Sequence, residues 1–208
     1  MMKDLFSRHT RLAGVVIACL GYAVMSGSPA QAALISTSAC DNSALTQPFA
    51  HWGDTNQYKL VPGGSFEGGT DGWTLRGRAA IVPGSEPYGA TGSVGSSSLD
   101  LPAGSSATSP FTCVNAAYPS FRFFGRNNGL LSTVVVSVVY RLPLLGEVAV
   151  PVGVTALSGS WNPSLPMLTA SAVTGLLSGG TTQVALRFTA LTGNSQIDDI
   201  FVDPRCRW

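Results

Sequence analysis

A run of β-branched residues near the middle of the chain, Leu130–Leu142, constrains the fold more than any other stretch. Neighbouring side chains of a strand point to opposite faces of the sheet. One face of this strand therefore carries four core candidates, Val134, Val136, Val138 and Tyr140. The other face is more mixed. This pattern is typical of a central strand with one face in the core and the other face partly covered.

The other strand-like segments are short and are separated by turns rich in Gly, Pro, Asn and Ser. Glu147–Thr155 and Thr181–Leu191 alternate apolar with polar residues, and Gly72–Val82 is predicted to be one strand. About nine or ten such strands, without long helical periods after the N-terminal segment, predict an all-β protein. We expect a two-sheet antiparallel β-sandwich with jelly-roll topology. An immunoglobulin-like sandwich is the alternative, because a Trp lies between two cysteines in the chain.

Two motifs at the two ends of the sandwich region predict how the fold closes. One is Gly63–Gly69, which is followed by Gly72 and Trp73, and the other is Gln196–Pro204. We interpret them as the first and last strands of the sandwich, lying side by side. Phe66 and Trp73 are the bulky residues of the first motif, and we expect both in the core.

Three acids lie among apolar residues of these motifs: Glu67 beside Phe66, and Asp198 and Asp199 in the run Ile197–Val202. A carboxylate in such a place is costly unless it is paired, hydrogen-bonded or bound to a metal. Calcium takes about six to eight oxygen ligands, so Glu67 and one of the two aspartates, with backbone carbonyls, could share one ion. We therefore predict a structural calcium site. The alternative is that each acid caps turn amides or pairs with an arginine.

The same motifs resemble those of secreted carbohydrate-binding modules of the galactose-binding-like jelly-roll group, which includes modules that bind xylan and cellulose. The resemblance rests on Phe66-Glu67, Gly72-Trp73 and the terminal strand Ile197–Val202, and it covers about Tyr58 to Asp203. The chain departs from the group by having Gly63-Gly64-Ser65 where an asparagine often precedes Phe-Glu. It is similar, too, to uncharacterised single-domain secreted bacterial proteins.

The resemblance implies a fold, a partner and a metal. In those modules a glutamate and one aspartate commonly hold a structural calcium, which corresponds to Glu67 and to Asp198 or Asp199 in this sequence. The implied partner is an extracellular or cell-wall polysaccharide. The middle strands of this chain lack the obvious row of exposed aromatic residues that a sugar-binding sheet face would carry.

Residues 1–32 have the pattern of a signal peptide. Basic residues precede the uncharged apolar run Leu12–Met25, and Ala30-Gln31-Ala32 fits the recognition site of signal peptidase. The apolar run is short for a membrane span. We predict cleavage before Ala33 and a secreted or cell-surface protein. A lipobox-like stretch ending at Cys19 is the alternative, because it would attach a lipid anchor there.

The remainder is predicted to comprise an N-terminal polar arm, 33–57, and a β-sandwich domain, 58–208. Three of the 12 basic and one of the 11 acidic residues belong to the signal segment, which leaves nine basic and ten acidic residues. This near-neutral balance excludes an electrostatic case for nucleic acid or for an anionic membrane. We expect no membrane span after signal cleavage.

Three cysteines remain after export, and an oxidising compartment lets two of them pair. We favour Cys40–Cys113, because Cys40 lies in a polar arm and Cys113 ends a strand-like run. Cys206 with either of the other two is the alternative. A cross-link over this distance stabilises by about 4 kcal/mol in the chain-entropy treatment.

The sequence contains no convincing catalytic constellation. His51 is the single histidine after the signal segment, and a Gly-x-Ser-x-Gly elbow and a histidine pair for zinc are both lacking. Glu67 with Asp198 or Asp199 is the one pair of carboxylates that could stand about 5–10 Å apart, as in a glycosidase. The glycines and aromatic residues around Glu67 favour an anchoring role instead, so we predict a protein that is not an enzyme.

Sugar binding requires aromatic planes with polar donors near them. Trp161 with Asn162 is the best candidate because a turn exposes both, Tyr88 in a Gly-rich loop is the second, and Arg126 is a flanking donor. The alternative is that Trp161 closes one end of the sandwich. Two functions stay open at this point: a carbohydrate-binding module, and a structural or adhesive envelope protein without a sugar site.

Overall fold

The computed structural model describes residues 44–115, 120–129, 131–142, 145–169 and 181–203. In these ranges the chain forms strands, apart from one short 3-10 helix, Ala50–Trp52. No helix in them is long and apolar enough to cross a membrane. The strands are β1 (Lys59–Leu60), β2 (Thr74–Arg76), β3 (Ala80–Pro83), β4 (Ser97–Pro102), β5 (Ser106–Thr108), β6 (Thr112–Asn115), β7 (Ser120–Asn127), β8 (Ser132–Leu142), β9 (Gly146–Leu157), β10 (Asn162–Pro163), β11 (Met167–Leu168), β12 (Thr181–Thr192) and β13 (Asn194–Asp203).

The strands form two sheets. The seven-stranded sheet has the order β10-β7-β13-β4-β3, with β1 paired to β13 and β11 paired to β7. The six-stranded sheet has the order β2-β5-β12-β8-β9, with β6 paired to β12. Every pairing between these strands is antiparallel. The predicted two-sheet antiparallel jelly-roll sandwich is confirmed.

The first and last strands of the described chain are neighbours, as the two end motifs predict. Lys59 of β1 lies opposite Val202 of β13, and Leu60 lies opposite Phe201. The contact continues beyond the strand, because the Val61 amide donates to the Ile200 carbonyl at 2.8 Å. Residues that are far apart in sequence thus share one stretch of backbone hydrogen bonding.

The Gly63–Gly69 motif itself is a series of turns, so its interpretation as the first strand is wrong. The backbone needs positive φ angles at Gly63, Phe66 and Gly69, and extended strands do not have them. Gly64 is required for a different reason: a Cβ there would lie 3.0 Å from the Ile200 carbonyl oxygen. The motif keeps the chain turning tightly against β13 instead of extending along it.

The core lies between the two sheets and consists of apolar side chains. The predicted face of β8 points into it, since all four of its members are at most 1 % exposed. Phe66 and Trp73 are buried there, as predicted, and their ring centroids are 5.1 Å apart. The core residues of the seven-stranded sheet include Leu99, Leu101, Phe121, Phe123, Ile197, Ile200 and Val202.

Gly72–Val82 is predicted to be a single strand and is two strands. Thr74–Arg76 pairs with β5 in the six-stranded sheet, whereas Ala80–Pro83 pairs with β4 in the other. The chain crosses between the sheets at a turn in which Gly77 has a φ of 71°. An alternating pattern can continue across such a crossing, because both strands present apolar residues to the same core.

A second cluster of aromatic residues covers the outer face of the seven-stranded sheet, the face directed away from the core. We call it the outer aromatic cluster: Phe49, Tyr58, Phe124, Trp161 and Phe201. Side chains of β7 alternate, so Phe123 points into the core and Phe124 points outward. The segment 46–58 of the predicted arm lies over this outer face and closes on itself through the bridge between Thr46 and Tyr58.

Several predictions concern residues outside the described ranges. These are the signal peptide 1–32 with Cys19, and the cysteines Cys40 and Cys206. Cys113 lies in β6, is buried and is disulfide-bonded. Its predicted pairing with Cys40 stays a prediction, because Cys40 lies outside the described residues.

Candidate functional site

Two of the three predicted acidic residues are buried beneath the outer face of β13. Ile197 points into the core, so Asp198 points to the opposite face of the strand. The pairing of β13 with β7 is irregular between Asp198 and Phe201, and Asp199 has a positive φ of 44°. Both aspartates are buried: Asp198 is 0 % exposed and Asp199 is 3 % exposed.

A third acid that the sequence analysis did not select, Glu86, joins these aspartates. It lies in the loop after β3 and is fully buried. Asp198 Oδ2 accepts hydrogen bonds from the Ser85 hydroxyl at 2.6 Å and from the Glu86 amide at 3.0 Å. Glu86 in turn accepts from the Tyr88 amide at 2.5 Å and the Ala90 amide at 2.8 Å. The loop after β3 is thus tied to β13 through carboxylates.

The electrostatics of these acids are those of a site that is short of positive charge. Burial raises the pKa of Asp198, and the nearby Glu86 carboxylate raises it further. Burial raises the pKa of Asp199 as well, assisted by the charges of Asp198 and Glu86 and by a hydrogen bond to Glu86. No basic side chain contributes to either pKa. Two like-charged groups in contact require a shared proton or a cation between them.

Glu67 lies at the edge of this group and is exposed. Its Oε1 accepts from the amides of Ser96 and Ser97, both at 2.8 Å, and its Oε2 accepts from the Ser96 hydroxyl at 2.7 Å. These hydrogen bonds, the Ser96 hydroxyl foremost, hold the pKa of Glu67 below its usual value. Glu67 caps turn amides, which is the alternative role given to it above, while its charge reaches Asp199.

The side chains of these four acids offer carboxylate oxygens, which are the ligands that a hard cation such as calcium prefers. The strongest charge repulsion on Asp199 comes from Asp198, followed by Glu86, and a positive charge near these three acids would relieve it. In the part of the chain that the structure describes, no three acidic, histidine or cysteine side chains converge as a metal-binding group. Asp198, Glu67 and Glu86 all accept hydrogen bonds from amides or hydroxyls, so Asp199, which contacts Glu86, is the most direct candidate ligand.

The four residues predicted for sugar binding lie together, although the sequence separates them by up to 74 positions. The Arg126 guanidinium lies 5.0 Å from the centre of the Trp161 ring. The Tyr88 hydroxyl donates to the Trp161 carbonyl at 2.8 Å. Asn162 follows Trp161 and pairs with Gly125 of β7. The structure therefore brings Tyr88, Arg126 and Trp161 together on the outer face, while Asn162, opposite the inward-facing Gly125, lies at the same edge of the sheet with its side chain on the other face.

These four residues differ in how much of each a ligand can reach. Trp161 is 7 % exposed and belongs to the outer aromatic cluster, whereas Tyr88 is 47 % exposed. Asn162 is exposed, and its amide donates to the Ser158 hydroxyl and the Ser160 carbonyl. Arg126 is half-buried and donates through Nε to Gln196 at 2.6 Å. Trp161 is a buried residue that contacts Arg126 through its ring and Tyr88 through its carbonyl. Tyr88 offers the accessible ring.

A cleft of about 530 Å³ opens beside Tyr88. Its second wall is the arm segment Thr46–Trp52, whose His51 and Trp52 contribute rings. Trp52 packs edge-on against Tyr88 at 4.9 Å between centroids. The part of the arm that forms this wall was not predicted to belong to a site. The signal available for it was the cluster of aromatic residues within a polar arm.

The arm is fixed by a buried ion pair that the sequence analysis did not predict. Arg122 Nη1 lies 2.8 Å from Asp54 Oδ2, and the Tyr58 hydroxyl donates to the same oxygen at 2.7 Å. Burial alone would raise the pKa of Asp54, but the bonds from Tyr58, Arg122 and the Asn56 amide outweigh burial and leave the pKa lowered. Burial and Asp54 together raise the pKa of Tyr58 to about 12.

His51, the one histidine in the described ranges, lies on the arm with its side chain exposed. Its ring packs against Trp52 at 5.1 Å between centroids. No serine, cysteine or carboxylate of the described chain forms a hydrogen bond with it. It thus has the surroundings of a packing residue at the rim of the cleft.

No protein-family model and no curated protein sequence matches this chain. Among solved structures, it is similar to the CBM22-1–GH10 modules of Clostridium thermocellum xylanase 10B in complex with xylohexaose, with 16 % identity and a TM-score of 0.49. That match covers 71 % of this chain and 28 % of the other. The CBM22-1 xylan-binding domain of Paenibacillus barcinonensis Xyn10C matches with 15 % identity, a TM-score of 0.49, and coverage of 73 % and 97 %.

A third similar structure is the carbohydrate-binding module TmCBM61 in complex with β-1,4-galactotriose. Its identity is 14 %, its TM-score is 0.43, and the match covers 70 % of this chain and 98 % of that one. These neighbours are carbohydrate-binding modules, and the likeness is one of fold alone.

Proposed function

We propose that this chain is a non-catalytic, exported β-sandwich module that binds carbohydrate. The observation that carries the proposal is the convergence of Tyr88, Arg126 and Trp161 on the outer face, with Asn162 at the same edge of the sheet. Aromatic planes next to amide and guanidinium donors are the chemistry that sugars require, because a pyranose ring has both apolar C–H faces and hydroxyl groups. The partner we propose is an extracellular or cell-wall polysaccharide.

Each residue has a distinct role in this proposal. Tyr88 stacks on a sugar ring, and its bond to the Trp161 carbonyl holds the ring in place. Arg126 lies over Trp161 and uses Nε for Gln196, so its terminal nitrogens stay available to donate to sugar hydroxyls. Asn162 uses its amide nitrogen within the turn, which leaves its oxygen to accept from a hydroxyl.

The test is a pull-down with insoluble xylan, cellulose and galactan. We expect the protein to bind at least one of them, and expect Tyr88→Ala and Arg126→Met to weaken that binding about tenfold, as loss of one stacking partner does. Arg141→Met is the matched control, since Arg141 lies 3.8 Å over the Phe111 ring away from the proposed site. Binding to none of the three, or binding that all variants retain, would reject the proposal.

The proposal includes a structural calcium between Glu86 and Asp199, near Asp198. Support comes from the contact of two buried acids and from the lack of a basic partner among the interactions that raise the pKa of Asp199. Bound calcium would supply the positive charge that these carboxylates lack. Glu67 remains a proposed ligand of this calcium, because its Oε2 accepts only one hydrogen bond, from the Ser96 hydroxyl.

Melting with calcium and with EDTA tests the metal. A ligand at a hundred times its Kd stabilises by about 2.7 kcal/mol, so we expect a clear rise in Tm with calcium. Asp199→Asn should abolish that rise and should stabilise the calcium-free protein, because it removes one of two repelling charges. Glu147→Gln, at an exposed acid paired with Arg141, should leave the rise intact. Identical melting curves with and without calcium would contradict the metal proposal.

A structural or adhesive envelope role is the second candidate. The observation that favours it is a set of large apolar side chains that are more than half exposed in the described ranges: Leu131, Leu145, Val94, Val154, Leu165, Leu168 and Leu191. This candidate expects adhesion to hydrophobic surfaces that Leu165→Ser reduces, together with no binding to the polysaccharides above.

A further inference from the structure

The cleft beside Tyr88 has two walls that come from different parts of the chain. One is the arm segment Thr46–Trp52, and the other is the loop Tyr88–Gly92. Its volume of about 530 Å³ lies within the range of roughly 300–1,000 Å³ that small-ligand sites occupy. Neither wall belongs to a sheet face, so this cleft is separate from the row of strand residues on which a sheet-face site would be built.

The arm wall is held rigidly. Phe49 is fully buried and packs against Tyr58, Phe124 and Phe201, with centroids 5.1 to 5.6 Å apart. The ion pair between Asp54 and Arg122 fixes the chain just after the 3-10 helix. A wall that is already in place does not have to be ordered when a ligand binds, which lowers the cost of binding.

The loop wall is held from behind by Glu86. Its two carboxylate oxygens accept from the amides of Tyr88 and Ala90, so they define the path of the loop that carries the Tyr88 ring. The turn then closes through the Gly92 amide, which donates to the Gly89 carbonyl at 2.8 Å. A side chain at Gly92 would meet nothing within 4 Å, so this end of the wall is open to a ligand.

The lining combines rings with neutral polar groups. Trp52, Tyr88 and His51 supply the rings, while Thr46, Gln47 and Thr91 supply hydroxyl and amide groups. Gln47 donates its amide to the Thr55 carbonyl at 2.6 Å, which leaves its side-chain oxygen as an acceptor. No Asp, Glu, Lys or Arg lines the cleft.

We propose that this cleft is a binding site for a mono- or disaccharide unit of a neutral glycan, held against the contacting rings of Trp52 and Tyr88 and beside His51 of the arm. The proposal rests on the proposed function and adds the arm as half of the site. It commits to an uncharged sugar because a carboxylate in this cleft would lose water without gaining a cationic partner.

Tryptophan fluorescence titration of the purified protein is the test, because Trp52 lines the cleft. The neutral probes are xylotriose, cellotriose and β-1,4-galactotriose, and the acidic probe is trigalacturonic acid. We expect a saturable change with at least one neutral probe, and at least about tenfold weaker binding of the acidic probe.

Arm variants separate this inference from the proposed function. His51→Ala changes an exposed side chain, so it should fold normally, and we expect binding of the neutral probe to weaken about threefold. Trp52→Ala should weaken it about tenfold or more, and isothermal titration calorimetry measures binding to the Trp52 variants because they lack the reporting indole. Phe111→Ala is the control, because Phe111 is a partly buried aromatic residue stacked by an arginine elsewhere. Circular dichroism of each variant, and Trp52→Phe as a milder change, distinguish lost binding from lost folding.

Three outcomes would overturn the inference. Neutral-probe binding that His51→Ala and Trp52→Phe leave unchanged, while Tyr88→Ala abolishes it, would place the sugar on the other side of Tyr88 and leave the proposed function standing. Equal or tighter binding of trigalacturonic acid would refute the neutral class. No binding of any probe would reject both the inference and the proposed function.

Discussion

The two faces of the seven-stranded sheet differ in kind. The inner face presents mainly apolar side chains to the core, Phe123 and Ile197 among them. The outer face is buried too, but it mixes the rings of Phe124 and Phe201 with the charges of Arg122 and Asp198. One sheet therefore carries an apolar core on one side and a polar aromatic layer on the other.

The difference teaches that burial alone does not decide where a site forms. On the inner face, each side chain needs only apolar neighbours, which the facing sheet supplies. On the outer face, each buried charge needs its own partner, and these partners come from the arm and from the loop after β3. Two separate segments meet there, and the cleft at which we propose ligand binding lies between them.

The largest loss of stability is expected from a substitution on the inner face. Phe123 is fully buried, and its ring packs against Phe188 of the other sheet at 5.1 Å between centroids. We expect Phe123→Ala to lower the free energy of unfolding by about 3–5 kcal/mol, since it removes apolar contacts and leaves a cavity. Urea denaturation measures this loss. Leu165→Ala, at a side chain 79 % exposed, is the control and should change the free energy of unfolding little.

The largest effect on the outer side is expected at the buried ion pair. Arg122→Ala leaves Asp54 without its cation and removes the guanidinium from the Phe49 ring, which lies 4.3 Å away. We expect a loss of about 3 kcal/mol in the free energy of unfolding. In a double-mutant cycle with Asp54→Ala, the two losses should not add, because either change breaks the same pair. Additive losses would show that the two residues act independently.

A smaller, pH-dependent effect on stability should come from Asp54 of the same ion pair. The folded-state pKa of Asp54 lies below its ordinary value of 3.8, so its carboxylate stabilises the fold at pH values above 3.8. That contribution is lost as the pH falls through the lowered pKa. We expect acid unfolding of Asp54→Asn to depend less steeply on pH below about 4 than that of the unaltered protein. Coinciding acid-unfolding slopes would contradict this assignment.

The smallest effect is expected at the junction between the outer face and the cleft. Tyr88→Phe removes the hydrogen bond to the Trp161 carbonyl but keeps the ring. We expect a loss of about 1 kcal/mol or less in the free energy of unfolding. Sugar affinity should fall by more than stability does, because the ring is no longer held in one orientation. An affinity equal to that of the unaltered protein would indicate that Trp52 alone holds the Tyr88 ring.

Much of the fold could be predicted from local patterns. Alternation identified the core face of β8, and the end motifs indicated that the two ends of the sandwich are neighbours. The prediction of one strand over Gly72–Val82 was wrong because both β2 and β3 present apolar residues to a common core. Local alternation does not record which sheet a strand joins.

The candidate site was predicted only in part. Tyr88, Arg126, Trp161 and Asn162 were chosen by residue type and by turn context, and they do lie together. Glu86 was not chosen, because a single glutamate in a loop has no periodicity that marks it as buried.

By itself, the sequence determined that the chain would form a two-sheet β-sandwich, since alternating apolar residues and Gly- and Pro-rich turns act locally. It determined the acids near the terminal strand as well, because Asp198 and Asp199 interrupt an apolar run. Only the tertiary structure decided that Glu86 meets them, that Trp161 is buried, and that the Trp52 ring contacts the Tyr88 ring beside a cleft. Each of these is a contact between distant segments, and its energy depends on partners that no local pattern specifies.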